Sequence, residues 1–200
     1  MACRKPYFLG RTPVGCGQCI PCRVHRRRVW TVRQVLESLT HTSNAFVTLT
    51  YNQENLPEDG SLVPRHLQLF FKRLRKNLDP IRVRFFSVGE YGDTSYRPHY
   101  HASLFGLGLQ HSQVIEKSWP HGFVQVAEFN YYTAQYTCGY VVKKMTKPDD
   151  TRLNGRYPEF ARMSNRPGIG ADAMEVIADS VLTDAGLKEY QNVGDAPRRS

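Results

Sequence analysis

No stretch of this 200-residue chain is apolar for the roughly 20 residues that a membrane-spanning helix requires. The N-terminus is basic but has no hydrophobic stretch leading to a small-residue cleavage site, so no secretory leader is expected. A Gly-rich phosphate loop ending Gly-Lys-Ser/Thr is missing too, which argues against a nucleotide-driven helicase. Cysteine is scarce and unevenly placed: Cys3, Cys16, Cys19 and Cys22 crowd the start, and Cys138 stands alone. Without a secretion signal, such a group predicts metal binding rather than a disulfide framework.

Acidic residues are sparse where basic ones gather. Residues 1–40 hold eight Lys/Arg against Glu37 alone, and residues 65–84 hold seven against Asp79 alone. The formal charge is +9, so the rest of the chain is net acidic, with Asp172, Glu175, Asp179, Asp184, Glu189 and Asp195 in the tail. Positive charge concentrated on an otherwise acidic chain reads as a docking surface for a polyanion. The length suits one domain with extensions. The expected division is a Cys-rich arm over 1–22, a core over 23–147 and a partly irregular C-terminal extension over 148–200.

The arm reads as loop, with Pro6, Gly10, Pro13, Gly15, Gly17 and Pro21. Cys16-x2-Cys19-x2-Cys22 plus Cys3 places four thiols in a segment too short for a core of its own. A structural Zn²⁺ would hold such a knuckle together, and an iron–sulfur cluster is the alternative. Position 25 is His and no His-x-Glu accompanies it, so the zinc-deaminase signature is absent.

From Arg23 to about Thr40, Val29, Val32, Leu36 and Leu39 recur at helical spacing, and Arg23, Arg26, Arg27 and Arg28 give the helix a basic start for phosphate contact. Asn44 to Tyr51 is β-branched and aromatic, a strand. Pro64 opens a helix to Leu78 with Leu67, Phe70, Phe71, Leu74 and Leu78 on one stripe. Lys72, Arg73, Arg75 and Lys76 lie outside that stripe or at its edges and are read as nucleic-acid contacts. Arg82 to Tyr91 and the stretch Arg97 to Gly106 are two strands expected to pair antiparallel. A short connector helical around 112–118, a strand over 122–129 and a helix from Tyr131 capped by Asn130 follow. Residues 148–170 are read as irregular and 172–180 as one helix. The order predicts an α+β fold with an antiparallel sheet covered by helices.

Two stretches carry chemistry. On the strand Pro98-His-Tyr-His-Ala, His99 and His101 share one face, as alternation requires, and offer two imidazoles to a metal. Glu90, at the end of the preceding strand, is the candidate third ligand. Such a set leaves open positions for a phosphate oxygen and water; it suits Mn²⁺, or Mg²⁺ where substrate oxygens complete the shell. On the helix, Tyr136, Tyr140 and Lys143 fall within about 60° of one another. Phenol is a poor nucleophile at neutral pH, but charge withdrawn from a phosphate makes its attack feasible. Gly139, costly inside a helix, implies a close approach by some neighbour.

Pro98-His-Tyr-His101-Ala together with Tyr136-x3-Tyr140-x2-Lys143 resembles the HUH endonucleases, the initiators and relaxases of rolling-circle elements. Phe46-Val-Thr-Leu-Thr-Tyr-Asn52, Gly89-Glu-Tyr-Gly92, the N-terminal cysteines and Arg166-Pro-Gly-Ile-Gly170 are similar to the replication initiators of gokushovirus-type microviruses, small single-stranded DNA phages. The resemblance implies a five-stranded, RRM-like sheet and nicking of single-stranded DNA at an origin, often a hairpin. It implies a 5′-phosphotyrosine and a free 3′-OH for a host polymerase, unwinding by a host helicase, and action in the cytoplasm of the infected bacterium. Carried over residue by residue, it makes His99, His101 and Glu90 metal ligands, Tyr136 and Tyr140 nucleophiles of undetermined order, and Lys143 a charge-steadying group. Arg97, in the loop before the histidine strand, is read as a DNA contact. Members of this branch are longer than 200 residues. A non-catalytic single-strand-binding module of RRM type, and a plasmid relaxase or transposase, are the competing expectations.

Overall fold

Strand β3 (Asn44–Tyr51) sets out the plan of the molecule in its alternation. Ala45, Val47, Leu49 and Tyr51 are fully buried on one face of the sheet, and Phe46, Thr48 and Thr50 are half-buried on the other. The computed structural model describes residues 3–139 and 149–182. Around β3 stand β4 (Arg84–Tyr91), β5 (Pro98–Phe105), β6 (Gly122–Glu128) and β7 (Phe160–Met163), in the order β6-β3-β5-β4-β7 with every neighbouring pair antiparallel. The fold is therefore α+β, with a five-stranded antiparallel sheet flanked by helices.

One face of the sheet carries the main core. Helix α2 (Pro64–Leu78) starts with a proline in its first turn, where a missing N–H is harmless. It lays Leu67, Phe70, Phe71, Leu74 and Leu78 against Leu49, Tyr51, Tyr100, Ala102 and Leu104. Each such buried side chain contributes about 1.5–3 kcal/mol. The short helix α3 (Ser112–Lys117) adds Ile115, and Trp119 follows it into the same core.

The opposite face is covered by α1 (Ile20–Leu39), α4 (Tyr131–Gly139) and α5 (Ala171–Leu182). Here the apolar spacing of α1 misleads. Val29, Val32 and Leu39 are exposed, and the residues buried along the helix are Pro21, Thr31, Gln34 and Glu37. The reason is a polar seam beneath the helix. Gln34 accepts from Ser103 Oγ at 2.6 Å and donates to Thr137 Oγ1 at 3.2 Å and to Cys138 Sγ at 2.9 Å. Glu37 takes the Arg84 guanidinium on both oxygens and the Gly170 N–H at 2.6 Å. Burial alone would push the Glu37 carboxyl up, but Arg84, Gly170 and His41 outweigh it and hold the group below its ordinary value. Gly170 has φ +75°, and a Cβ there would lie 2.6 Å from the Arg33 carbonyl oxygen, so the turn can dock on α1 only as glycine.

Two further expectations change. The arm is not all loop, because β1 (Tyr7–Leu9) and β2 (Thr12–Val14) pair as a hairpin. Nor is 148–170 irregular throughout, since β7 lies within it and supplies the fifth strand. A four-residue strand at a sheet edge offers too short a pattern to read from sequence. Its fit depends on Gly89, where a Cβ would sit 2.8 Å from the Phe160 ring.

Candidate metal centre and tyrosine site

The site is laid out by strand register. In antiparallel pairs, residues directly opposite one another share a face. Phe123, Thr50, His99 and Glu90 therefore form one row across β6, β3, β5 and β4, and Gln125, Thr48, His101 and Val88 form the next. Glu90 and the two histidines meet where these rows adjoin. Glu90 Oε1 lies 3.1 Å from His99 Nε2 and 3.1 Å from His101 Nε2, and the three donor atoms fall within 4.8 Å of one another. Glu90 and His101 are buried and His99 is half-buried.

The outward nitrogens are engaged as well. His99 Nδ1 donates to the Arg97 carbonyl at 3.1 Å, which also receives the Gly92 N–H at 3.1 Å. His101 Nδ1 pairs with Thr48 Oγ1 at 3.0 Å. Partners on Nδ1 leave each Nε2 lone pair aimed at the common centre, the arrangement that orients histidine ligands. Two imidazoles and one carboxylate with open positions suit Mn²⁺ or a similar divalent ion, so the residues present fit the expected metal.

Tyr136 stands over this centre from α4. Its ring is edge-on to His101 at 5.0 Å between centroids and edge-on to Phe46 at 6.2 Å. It is 57% exposed, so a strand of nucleic acid can reach it. A cleft of about 550 Å³ opens beside it, lined by Phe46, Thr48, His101, Gln125, Tyr132 and Thr133 among others. Tyr51 and Tyr100 present the opposite case. They lie in the core on the far face, hydrogen-bonded to each other at 2.8 Å, and burial pushes both phenols up. They serve packing.

Tyr140 and Lys143 lie outside the described residues. The neighbour implied by Gly139 is Arg27, whose guanidinium would be 3.7 Å from a Cβ there and donates to the Gln135 carbonyl at 3.2 and 3.3 Å. Arg27 thus joins the start of α1 to the tyrosine helix. Arg26 and Arg28 are exposed, and Arg23 donates to the Gln18 carbonyl at 2.7 Å. Arg97 holds the Tyr51 carbonyl at 3.0 Å and Gln53 at 3.2 Å, so it braces the strand ends beside the site. The basic residues of α2 are not brought to this face. Lys72, Arg75 and Lys76 are exposed on the helix that covers the other side of the sheet, and Arg73 donates to the Ser118 carbonyl at 3.0 Å.

Sequence reasoning missed Thr48, Phe123 and Glu159. Strand parity could have found the first two, since both share the face of the histidines. Glu159 gave no signal, because it precedes the unforeseen β7. It is buried, accepts the Tyr91 N–H at 3.2 Å, and is pushed up to about 7 by burial, with Glu90 and Asp93 adding to the effect and Tyr91 and His99 opposing it. The four N-terminal cysteines also come together, with their sulfurs within 4.8 Å of one another.

Comparison with known proteins agrees with this arrangement. The model of the replication-associated protein ORF2 family matches residues 44–148, which include both histidines and the tyrosine helix. The chain is 34% identical to Replication-associated protein ORF2 of Spiroplasma virus 4, over 92% of its own length and 66% of that protein's. It is 32% identical to Replication-associated protein VP4 of Bdellovibrio phage phiMH2K, over 80% and 57% of the two lengths. It is 30% identical to Replication-associated protein ORF4 of Chlamydia phage 1, over 66% and 38%. The chain thus spans between about two fifths and two thirds of these relatives. No solved structure matches it. With its site on the sheet face that the matched segment builds, the chain belongs to the ORF2 family of replication-associated proteins.

Proposed function

We propose that this chain is a replication initiator that nicks single-stranded DNA at a phage origin through a tyrosine nucleophile. The observation that carries the reading is the exposed Tyr136 phenol standing against His101, itself part of the Glu90–His99–His101 group. The phenol oxygen attacks phosphorus, the bond to the 3′ oxygen breaks, and the phenol proton is lost as the departing 3′ oxygen gains one. The products are a 5′-phosphotyrosine and a free 3′-OH for a host polymerase, and the phosphodiester energy is kept in the covalent link. Glu90, His99 and His101 would hold a divalent cation, Mn²⁺ or Mg²⁺, which when bound withdraws charge from the phosphate.

Other residues position the strand. Phe123, Phe46 and Tyr132 offer ring faces and edges along the site face for unpaired bases, and Arg26 and Arg28 offer charge for phosphates. Tyr140 would supply a second phenol for release or rejoining, and Lys143 a nearby positive charge. The protein would act in the cytoplasm of the infected bacterium with host polymerase and helicase; among the described residues no helix is long and apolar enough to cross a membrane.

The test is direct. Incubation with Mn²⁺ and a labelled origin oligonucleotide should give a protein–DNA adduct that survives a denaturing gel. Reversible binding with no adduct, for every origin-derived strand and every divalent metal tried, would leave a non-catalytic binding module instead.

A further inference from the structure

The arm that precedes α1 has almost no core to hold it. Tyr7, Phe8 and Leu9 of the hairpin are each more than half exposed, and its strands pair only with each other. An isolated two-stranded hairpin is marginal in water. Yet the chain brings four thiols together at the junction, one before the hairpin, one after it and two at the start of α1. All four cysteines are free, and all four sulfurs lie within 4.8 Å of one another.

We infer that Cys3, Cys16, Cys19 and Cys22 form a tetrathiolate site for a structural Zn²⁺ that fastens the N-terminal hairpin to the start of α1. The spacing matches one tetrahedral ion. Zinc–sulfur bonds of about 2.3 Å set sulfurs about 3.8 Å apart, and Cys3 Sγ lies 3.8 Å from Cys19 Sγ. A disulfide would need about 2.05 Å. A polynuclear iron–sulfur cluster has a wider body and would hold its thiolates further apart than a single ion does.

The backbone is arranged for charged sulfur. The Cys16 and Lys5 N–H groups point at Cys3 Sγ at 3.3 and 3.4 Å, and the Cys19 N–H points at Cys16 Sγ at 3.4 Å. Such outer bonds orient metal-bound thiolates as they do histidines. Cys19 caps the 20-residue α1 without a side-chain hydrogen bond to it, leaving its sulfur for the site at the positive end of the helix. A Cβ at Gly15 would lie 3.0 Å from Cys22 Sγ, and Gly17 turns with φ +71° against Arg26, so the loop between the ligands closes only with small residues. This centre is separate from the histidine group and does not rest on the nicking reaction. Its effect on the site is mechanical: it fixes the end of α1 from which Arg27 reaches the tyrosine helix.

Metal analysis tests the site. A chain carrying His99→Ala and His101→Ala, purified under reductant without added metal, should retain about one zinc per molecule. Adding Cys19→Ser should remove it. Cobalt exchanged into the same double variant should show a thiolate charge-transfer band and the visible bands of tetrahedral coordination, which decides the matter even if the cysteine variant does not fold. Zinc below about half an equivalent together with no cobalt–thiolate band would overturn the proposal. So would iron in place of zinc, or zinc that survives Cys19→Ser in a folded protein.

Discussion

The phenol ring of Tyr136 stands perpendicular to the imidazole of His101, their centroids 5.0 Å apart, although the two residues belong to a helix and a strand separated by β6 in the chain. The contact couples a nucleophile to the group that could bind the reacting phosphate. Both must be held within a fraction of an ångström for such chemistry, and packing on Phe46 helps to hold the ring.

Tyr136→Phe should keep the ring packing and lose the covalent adduct with an origin oligonucleotide, while single-strand affinity stays within about threefold. That separation follows because the hydroxyl acts only in bond making. An adduct formed at the wild-type rate would move the nucleophile elsewhere, with Tyr140→Phe as the next variant to measure.

Thr48→Val should weaken Mn²⁺ binding by about 10- to 100-fold, the usual cost of removing a partner that orients a histidine ligand. Thr48 pairs with His101 Nδ1 at 3.0 Å and itself is no ligand. Calorimetric titration of folded protein reads the effect, and an unchanged affinity would show that His101 needs no such brace.

Phe123 is 69% exposed and lies opposite Thr50 in the same cross-sheet row as His99 and Glu90. Phe123→Ala should weaken binding of a short single strand by about 1–3 kcal/mol, the value of one base stacked on an aromatic ring. Fluorescence anisotropy at fixed salt measures it, and equal affinities would rule out stacking at that position.

The two basic groups should behave differently. Arg26→Ala with Arg28→Ala should lower the salt dependence of single-strand binding by about 0.7 per lost phosphate contact. Lys72→Ala with Lys76→Ala lies on the helix behind the sheet and should leave the slope unchanged. A reversed result would place the DNA path across α2.

Glu37→Gln should destabilise the fold by about 3 kcal/mol, because Arg84 would keep its half-buried place without a charged partner. The Glu37 carboxyl is held below its ordinary value, so its contribution is fully present above the unfolded value near 4.3. It is lost as pH falls through the lower folded value. The Tm gap between variant and wild type should therefore be widest at neutral pH and shrink below about pH 4. A gap constant across that range would mean that charge is not the source.

Local chemistry sufficed for the elements with strong patterns. β3 and α2 run over Asn44–Tyr51 and Pro64–Leu78, as their alternation and apolar stripe indicate. The pairing of β4 with β5 was also legible, and the side-chain parity of those strands is what puts His99, His101 and Glu90 on one face. α1 was misjudged because its buried residues are polar, and Gln34 and Glu37 became interior only by meeting Ser103, Arg84 and Gly170. Spacing records which residues share a helix face, but burial depends on what arrives to satisfy them.

By itself the sequence determined the residue types of the site, the parity that aligns them, and the grouping of four thiols near the start of the chain. Only the tertiary structure decided that Tyr136 lies over His101, that the charges of α2 fall behind the sheet, and that β7 brings Glu159 near Glu90. Parity is a local property of a backbone that repeats every two or 3.6 residues. Which faces then meet is set by contacts between segments far apart in the chain, and no local period encodes them.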